Sequence, residues 1–198
     1  MLIKTFGSAV YGVNATTITI EVNITDGVSF FLVGLPDNAV KESQHRIISA
    51  LQTNGYRFPG KRIIVNMAPA DIRKEGSAYD LPLAIGILAA SEQISNDMLC
   101  DFVIMGELSL DGSLQPIRGA LPIAIQARQE GFKGLILPQQ NVREAAVVNN
   151  LDVYGMENIS QVIDFLNGKL KPEPVVINTR EEFARSEERR VGKECRSR

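Results

Sequence analysis

Ser77 stands in the stretch RKEGSAYDLPLAIGILAA, residues 73–90, between a charged run and a long apolar one that begins at Leu81. A serine in a small-residue turn that opens a buried helix is placed to act as a nucleophile, provided a second group takes its proton. The available bases are few. His45 is the single histidine of the chain. It falls mid-helix on the face away from Val40, Ile47 and Leu51, where solvation is expected, and it would have to cross from another helix with an acid to orient it. The guanidinium of Arg118 stays protonated and cannot accept a hydroxyl proton. The structural alternative makes Ser77 a helix-entry residue. Its hydroxyl would then cap free N–H groups, or Asp80 would do so from the first turn, where the helix dipole favours an acid.

Other groupings point to less chemistry. GSAVYGVN (7–14) has two glycines at the spacing of a phosphate-binding loop, but Val13 and Asn14 occupy the positions that need Lys and Ser or Thr. No complete match occurs elsewhere, so the stretch is expected to be a turn between strands and not an ATP site. One histidine with no cysteine nearby gives zinc no ligand set. ADIRKEG (70–76) reads as a solvated loop. Its alternative is that Arg73 and Lys74, with Arg118, form a small contact patch for phosphate or a partner domain.

The elements that must position these residues follow from patterning. TTITIEVNIT (16–25) alternates and is β-branched, as a strand with one polar face requires. Asp26-Gly27 and the apolar run VSFFLVGL come next, and Asp-Gly between two such runs signals a hairpin. Pro36 suits a first helical turn, and a helix is expected from there to a stop at Asn54-Gly55. RIIVNMAP (62–69) reads as a short buried strand, and LPLAIGILAASEQ as a central helix, apolar all round. DFVIMGELSLDGSLQPI predicts a strand, an Asp111-Gly112 turn and a return strand. A helix at about 119–130, strand GLILP, helix 141–148, strand LDVYG and helix 158–167 follow. The second half therefore has α/β alternation and the first third a hairpin-led sheet.

Bulk numbers bound the rest. The chain has 198 residues, 44% apolar and 22% charged, which suits one soluble domain with a tail. Residues 1–183 hold 15 basic and 20 acidic side chains, a net of −5, so any polyanion contact must come from a local patch. KLKPEPVVINTREEF after Gly168 reads as an exit linker, to residue 183. Residues 184–198, ARSEERRVGKECRSR, lack apolar periodicity and read as a basic arm or a non-native extension. Cys100 and Cys195 form no framework, MLIKTFGSAVYG has no signal-peptide core, and Leu81–Ala90 is about half the roughly 20 residues of a membrane span. A cytoplasmic setting without membrane contact is expected.

Three segments carry a resemblance: LPDNAVKES (35–43), VNMAPADIRKEGSAYDLPLA (65–84) and GELSLDGSLQPIRGALPIAI (106–125). With the opening LIKTFGSAVYGV they resemble the N-terminal domain of the Mg-chelatase-like AAA ATPase family over about residues 1–170. The resemblance implies an α/β (α+β) fold of the ribosomal protein S5 domain 2-like type, a Lon-protease-like two-layer arrangement of mixed sheet and packed helices spanning residues 1–168. It also implies a following AAA module, which would hold the phosphate-binding loop, ATP and Mg. Full-length relatives would assemble as homo-hexamers that remodel DNA, as in branch migration during recombination and competence. They would touch DNA mainly through the assembled ring.

The Lon likeness bears on Ser77, because Lon-type proteases use a Ser–Lys dyad. Matching KEGSAYDLPLA to the Lon serine turn without gaps puts Ala78 on the nucleophile, and a one-residue slip puts Ser77 there. Matching PIRGALPIAIQA to the lysine helix puts Leu121 on the lysine, and no Lys lies between Lys74 and Lys133. The resemblance thus implies a non-catalytic assembly or interaction domain, with a Lon-like hydrolase of rearranged dyad as the alternative. A metal-chelatase subunit is a third reading. It would need the ATPase engine and other subunits, and nothing in the chain resembles a tetrapyrrole or metal site.

Overall fold

Residues 2–25, dense in β-branched side chains, form a hairpin in the computed structural model, which describes residues 2–177. Its strands are β1 (Leu2–Tyr11) and β2 (Asn14–Thr25), paired antiparallel from Leu2↔Asn23 to Tyr11↔Asn14. Gly12 and Val13 make the two-residue connection, with Gly12 at φ +61. The second glycine of GSAVYGVN is therefore a hairpin turn, and the first lies within β1.

Asp26-Gly27 does not close a second hairpin. The next strand, β3 (Ser29–Val33), is separated from β2 by β4 (Arg62–Ala68), which runs antiparallel to β2 and parallel to β3. The expectation failed because it weighed only the turn. Seven register pairs join β4 to β2, and Ile63, Val65 and Met67 are fully buried. β3 leaves Phe31 and Val33 52% and 47% exposed, which suits a sheet edge.

The seven-stranded sheet runs β3-β4-β2-β1-β5-β8-β9. Its second half is parallel: β5 (Phe102–Ile104) lies beside β1, then β8 (Gly134–Pro138) and β9 (Asp152–Met156). α1 (Asn38–Thr53) starts at Asp37, whose carboxylate accepts from the Val40 N–H at 2.8 Å, so Pro36 precedes the cap instead of entering the first turn. α2 (Asp80–Ala90) follows a single 3-10 turn at Ser77–Tyr79, and all eleven of its residues are buried. Each fully buried Leu or Ile there contributes about 1.5–3 kcal/mol. Thr5 of β1 donates to the Pro82 carbonyl at 3.1 Å. At Gly86 a Cβ would press on Val22, so the glycine lets α2 approach the sheet closely.

α3 (Ala120–Gln129) takes the other side, with Gly119 against Val10, while Phe6 meets Phe132 edge-on at 5.2 Å. β6 (Glu107–Leu108) and β7 (Leu114–Gln115) form a separate small hairpin around Asp111-Gly112. α4 (Val142–Ala145) is shorter than the helix expected over 141–148. Asn141 sits in a 3-10 turn before it, and its amide bonds both backbone groups of Ile117 at 2.8 Å. α5 (Ile159–Leu166) is capped by Asn158.

Beyond α5 the expected linker is partly tied down. The N–H groups of Lys169 and Leu170 donate to the Asp164 carbonyl, and the Val175 N–H donates to the Val153 carbonyl of β9 at 2.9 Å. The rest of that linker, 178–183, and the tail 184–198 lie outside the described residues. Among the described residues no helix is long and apolar enough to cross a membrane.

Candidate functional site

Ser77 opens onto a cavity of about 660 Å³ lined by the end of β1, the loop 73–79, Glu107 of β6 and the segment 116–118. Its hydroxyl donates to the carboxylate of Glu107. It does not cap α2: neither the 3-10 turn nor the helix receives a side-chain cap. The Leu81 N–H donates instead to the Gly106 carbonyl at 3.0 Å, and Gly106 returns its own N–H to the Ala78 carbonyl at 2.9 Å. A two-way backbone exchange thus fixes the serine turn against the strand that carries Glu107.

Asp80 does not cap the helix either. Fully buried, it takes Arg46 of α1 on both oxygens, at 2.6 and 2.9 Å, and the Leu108 N–H at 3.3 Å. Arg46 also donates to the Ala39 carbonyl at 2.9 Å. Burial pushes the Asp80 carboxyl up to about 6, with the Arg46 hydrogen bonds and charge pulling the other way. This pair couples α1, α2 and β6 directly behind Ser77 and Glu107.

Lys74 corrects the contact patch expected from sequence. Its side chain is fully buried, with Nζ donating to the Gly34 carbonyl at 2.7 Å and to the Pro69 carbonyl. Desolvation draws this amine below its ordinary pKa, opposed by the charge of Asp71. Its backbone binds as well, through Lys74 N–H to Leu35 O and Asp37 N–H to Lys74 O. The Asp37 carboxylate closes the knot by accepting from Gly76 N–H at 3.1 Å. Lys74 is therefore an internal clamp between the loops at 34–37 and 69–76, with its ammonium turned inward instead of onto a surface patch. Arg73 and Arg118 both line the cavity. Arg73 pairs with Glu75 at 3.1 Å, and its carbonyl accepts the Tyr11 hydroxyl at 2.5 Å.

Of the two residues matched to the Lon dyad, one lines the cavity. Ala78 lines the cavity; Leu121 is absent from its lining and donates its N–H to Glu144 at 3.1 Å. The lining includes no lysine or histidine, and His45 is exposed on α1. Around Ser77 the cavity is lined by three carboxylates, Asp37, Glu75 and Glu107, two guanidiniums, Arg73 and Arg118, and apolar side chains that include Val10, Met105 and Ile117. The glycines of 7–14 are a strand position and a hairpin turn, so that stretch does not form a phosphate-binding loop. Glu107, Arg46, Tyr11 and Asp37 were missed from sequence. A buried acid opening an apolar helix demands a partner, which was the available signal for Arg46.

Comparisons with known proteins give four findings. The family model described as subunit ChlI of Mg-chelatase matches residues 20–141. Competence protein ComM of Haemophilus influenzae is 45% identical over 167 residues, covering 84% of this chain and 33% of that protein. The uncharacterized protein YifB of Escherichia coli is 42% identical over 162 residues, covering 81% and 32%. Lon protease 2 of Bacillus subtilis is 27% identical over 179 residues, covering 80% and 32%. The chain thus spans about a third of the length of these relatives.

Proposed function

The chain belongs to the family of the Mg-chelatase subunit ChlI, and from that membership we propose that it is the N-terminal assembly and interaction domain of a Mg-chelatase-like ATPase and does no chemistry of its own. In this reading a downstream module binds ATP and Mg. The whole protein assembles as a hexamer that remodels DNA, in the manner of branch migration, during recombination or competence. The likeness to a protein named for competence supports the setting.

The observation that carries the non-catalytic part is the state of the two groups a Ser–Lys dyad would need. The Ser77 hydroxyl is engaged by Glu107, and the nearest lysine in sequence, Lys74, is buried on two carbonyls. Among the described residues no deprotonatable amine lines the cavity beside the serine. Deleting residues 1–168 from the longer protein is expected to abolish hexamers in sedimentation while leaving nucleotide binding intact. Hexamers that persist would defeat the reading. Sequencing the native reading frame beyond Phe183 is expected to show a phosphate-binding loop.

A second reading has one observation in its favour. Ser77 lies in an open cavity with a carboxylate on its hydroxyl, and a carboxylate can accept a proton. A Lon-like hydrolase with that rearranged pair would label at Ser77 with a fluorophosphonate and lose the label in Ser77→Ala. The assembly reading expects no label in either protein.

A further inference from the structure

We infer that the cavity beside Ser77 is a preformed socket for one lysine side chain of a partner protein, with the ammonium on Glu107 and the methylene stem on the apolar lining. This rests on the interaction-domain reading above and assigns its contact surface.

The charges of the lining sort by exposure. Arg73, Glu75 and Arg118 are exposed, and Arg73 pairs with Glu75 at 3.1 Å. Asp37 and Glu107 are half-buried, and neither has an ion-pair partner among the described residues. The one lining cation without an ion-pair partner among the described residues, Arg118, stands at the exposed edge. Water and salt screen exposed charges, whereas half-buried ones keep more of their field. The less exposed part of the cavity is therefore negative.

Glu107 is the carboxylate with room for a ligand. Asp37 already accepts the Val40 N–H on one oxygen and the Gly76 N–H on the other. Glu107 accepts the Ser77 hydroxyl on Oε2 alone, and its Oε1 has no hydrogen-bond partner among the described residues. Arg46, the nearby guanidinium, is held on both oxygens of Asp80. A carboxylate that is oriented but not neutralised favours a cation. Val10, Met105 and Ile117 line the same cavity, which suits the long apolar stem of lysine beneath its compact charge. The volume of about 660 Å³ admits that side chain and the backbone carrying it. Two guanidiniums at the mouth oppose further positive charge, which sets one lysine apart from a polyamine or a basic run. Loop 73–76 is fixed beforehand by Tyr11, Asp37 and the Lys74 ammonium, so the ligand need not order it.

The test is an NMR titration of the isotope-labelled 198-residue chain with acetyl-Gly-Lys-Gly-amide. Its norleucine counterpart keeps the stem without the ammonium, and its Glu counterpart reverses the charge. The Lys peptide is expected to shift amides at Val10, Ser77 and Glu107 saturably. The norleucine peptide should bind about tenfold more weakly, as should the Lys peptide to Glu107→Gln, for loss of one charge-assisted bond. Glu75→Gln removes an exposed charge of the same sign and should change affinity less than about threefold. Ala78→Leu, which narrows the cavity, should weaken the Lys and norleucine peptides alike. Thermal unfolding checks that the variants keep the fold, and the peptide series decides the matter without them. Shifts that fail to saturate, a norleucine or Glu peptide as tight as the Lys peptide, or equal losses in Glu75→Gln and Glu107→Gln would overturn the socket. That failure is separable from failure of the assembly reading, which is decided by hexamers of the longer protein with and without residues 1–168.

Discussion

Asp80 and Arg46 are 34 positions apart, yet the first is fully buried and the second is its principal counter-charge. Removing Arg46 would leave a carboxylate in the core. Arg46→Met is expected to destabilise the protein by about 3 kcal/mol in urea at neutral pH, the low end for a broken buried pair because Asp80 can neutralise itself. The pH dependence has a defined sign. The carboxyl is raised from 3.8 to about 6 in the fold, so its contribution is fully present below about pH 4 and is lost as pH rises through 6. Relative to Asp80→Asn, which does not titrate, the native protein should lose on the order of 3 kcal/mol between pH 4 and pH 7. Unfolding curves of both proteins at four pH values measure this, and a gap that widens in favour of the native protein would reverse the assignment. Ser77 and Arg118 were visible as candidates because each stands in a recognisable local stretch. Glu107 was not, because its only link to Ser77 is a contact 30 residues away.

At the scale of elements, the loops at 34–37 and 69–76 behave as one unit. Lys74→Met removes the only ammonium between the Gly34 and Pro69 carbonyls, and leaving them bare should cost about 2–4 kcal/mol. The amides of Asp37 and Gly76 should then exchange with deuterium at least tenfold faster, while those of β8 stay unchanged. Gly34 closes the same unit at φ +99, and a Cβ there would collide with the Met67 carbonyl. Gly34→Ala is therefore expected to destabilise by about 2–4 kcal/mol, read from thermal or urea unfolding. Elements whose own sequence decides their burial were legible: α2 is apolar on every side, and GLILP of β8 is continuously so. Strand order was not. An Asp-Gly turn records that the chain reverses, but not that β4, arriving more than 30 residues later, will take the place between β2 and β3. The same limit hid the fate of Lys74, whose charge suggested a surface that its neighbours do not provide.

For the molecule as a whole, charge sets the reach of any nucleic-acid contact. With residues 1–183 at −5, their affinity for duplex DNA should be no tighter than about 10⁻⁴–10⁻⁶ M and should fall further from 50 to 200 mM salt, as a mobility-shift titration would record. Tight, salt-insensitive binding would contradict the assignment of DNA contact to an assembled ring. The two borders of the sheet differ: the chain after α5 bonds to β9 through Val175, whereas β3 is paired with β4 on one side only among the described residues and carries the half-exposed Phe31 and Val33. Strand-to-strand growth needs a vacancy on each side of every copy. Among the described residues β3 is the one open border, so two copies meeting along it use up their vacancies at once, and pairing by this route ends at a dimer instead of propagating into a fibre.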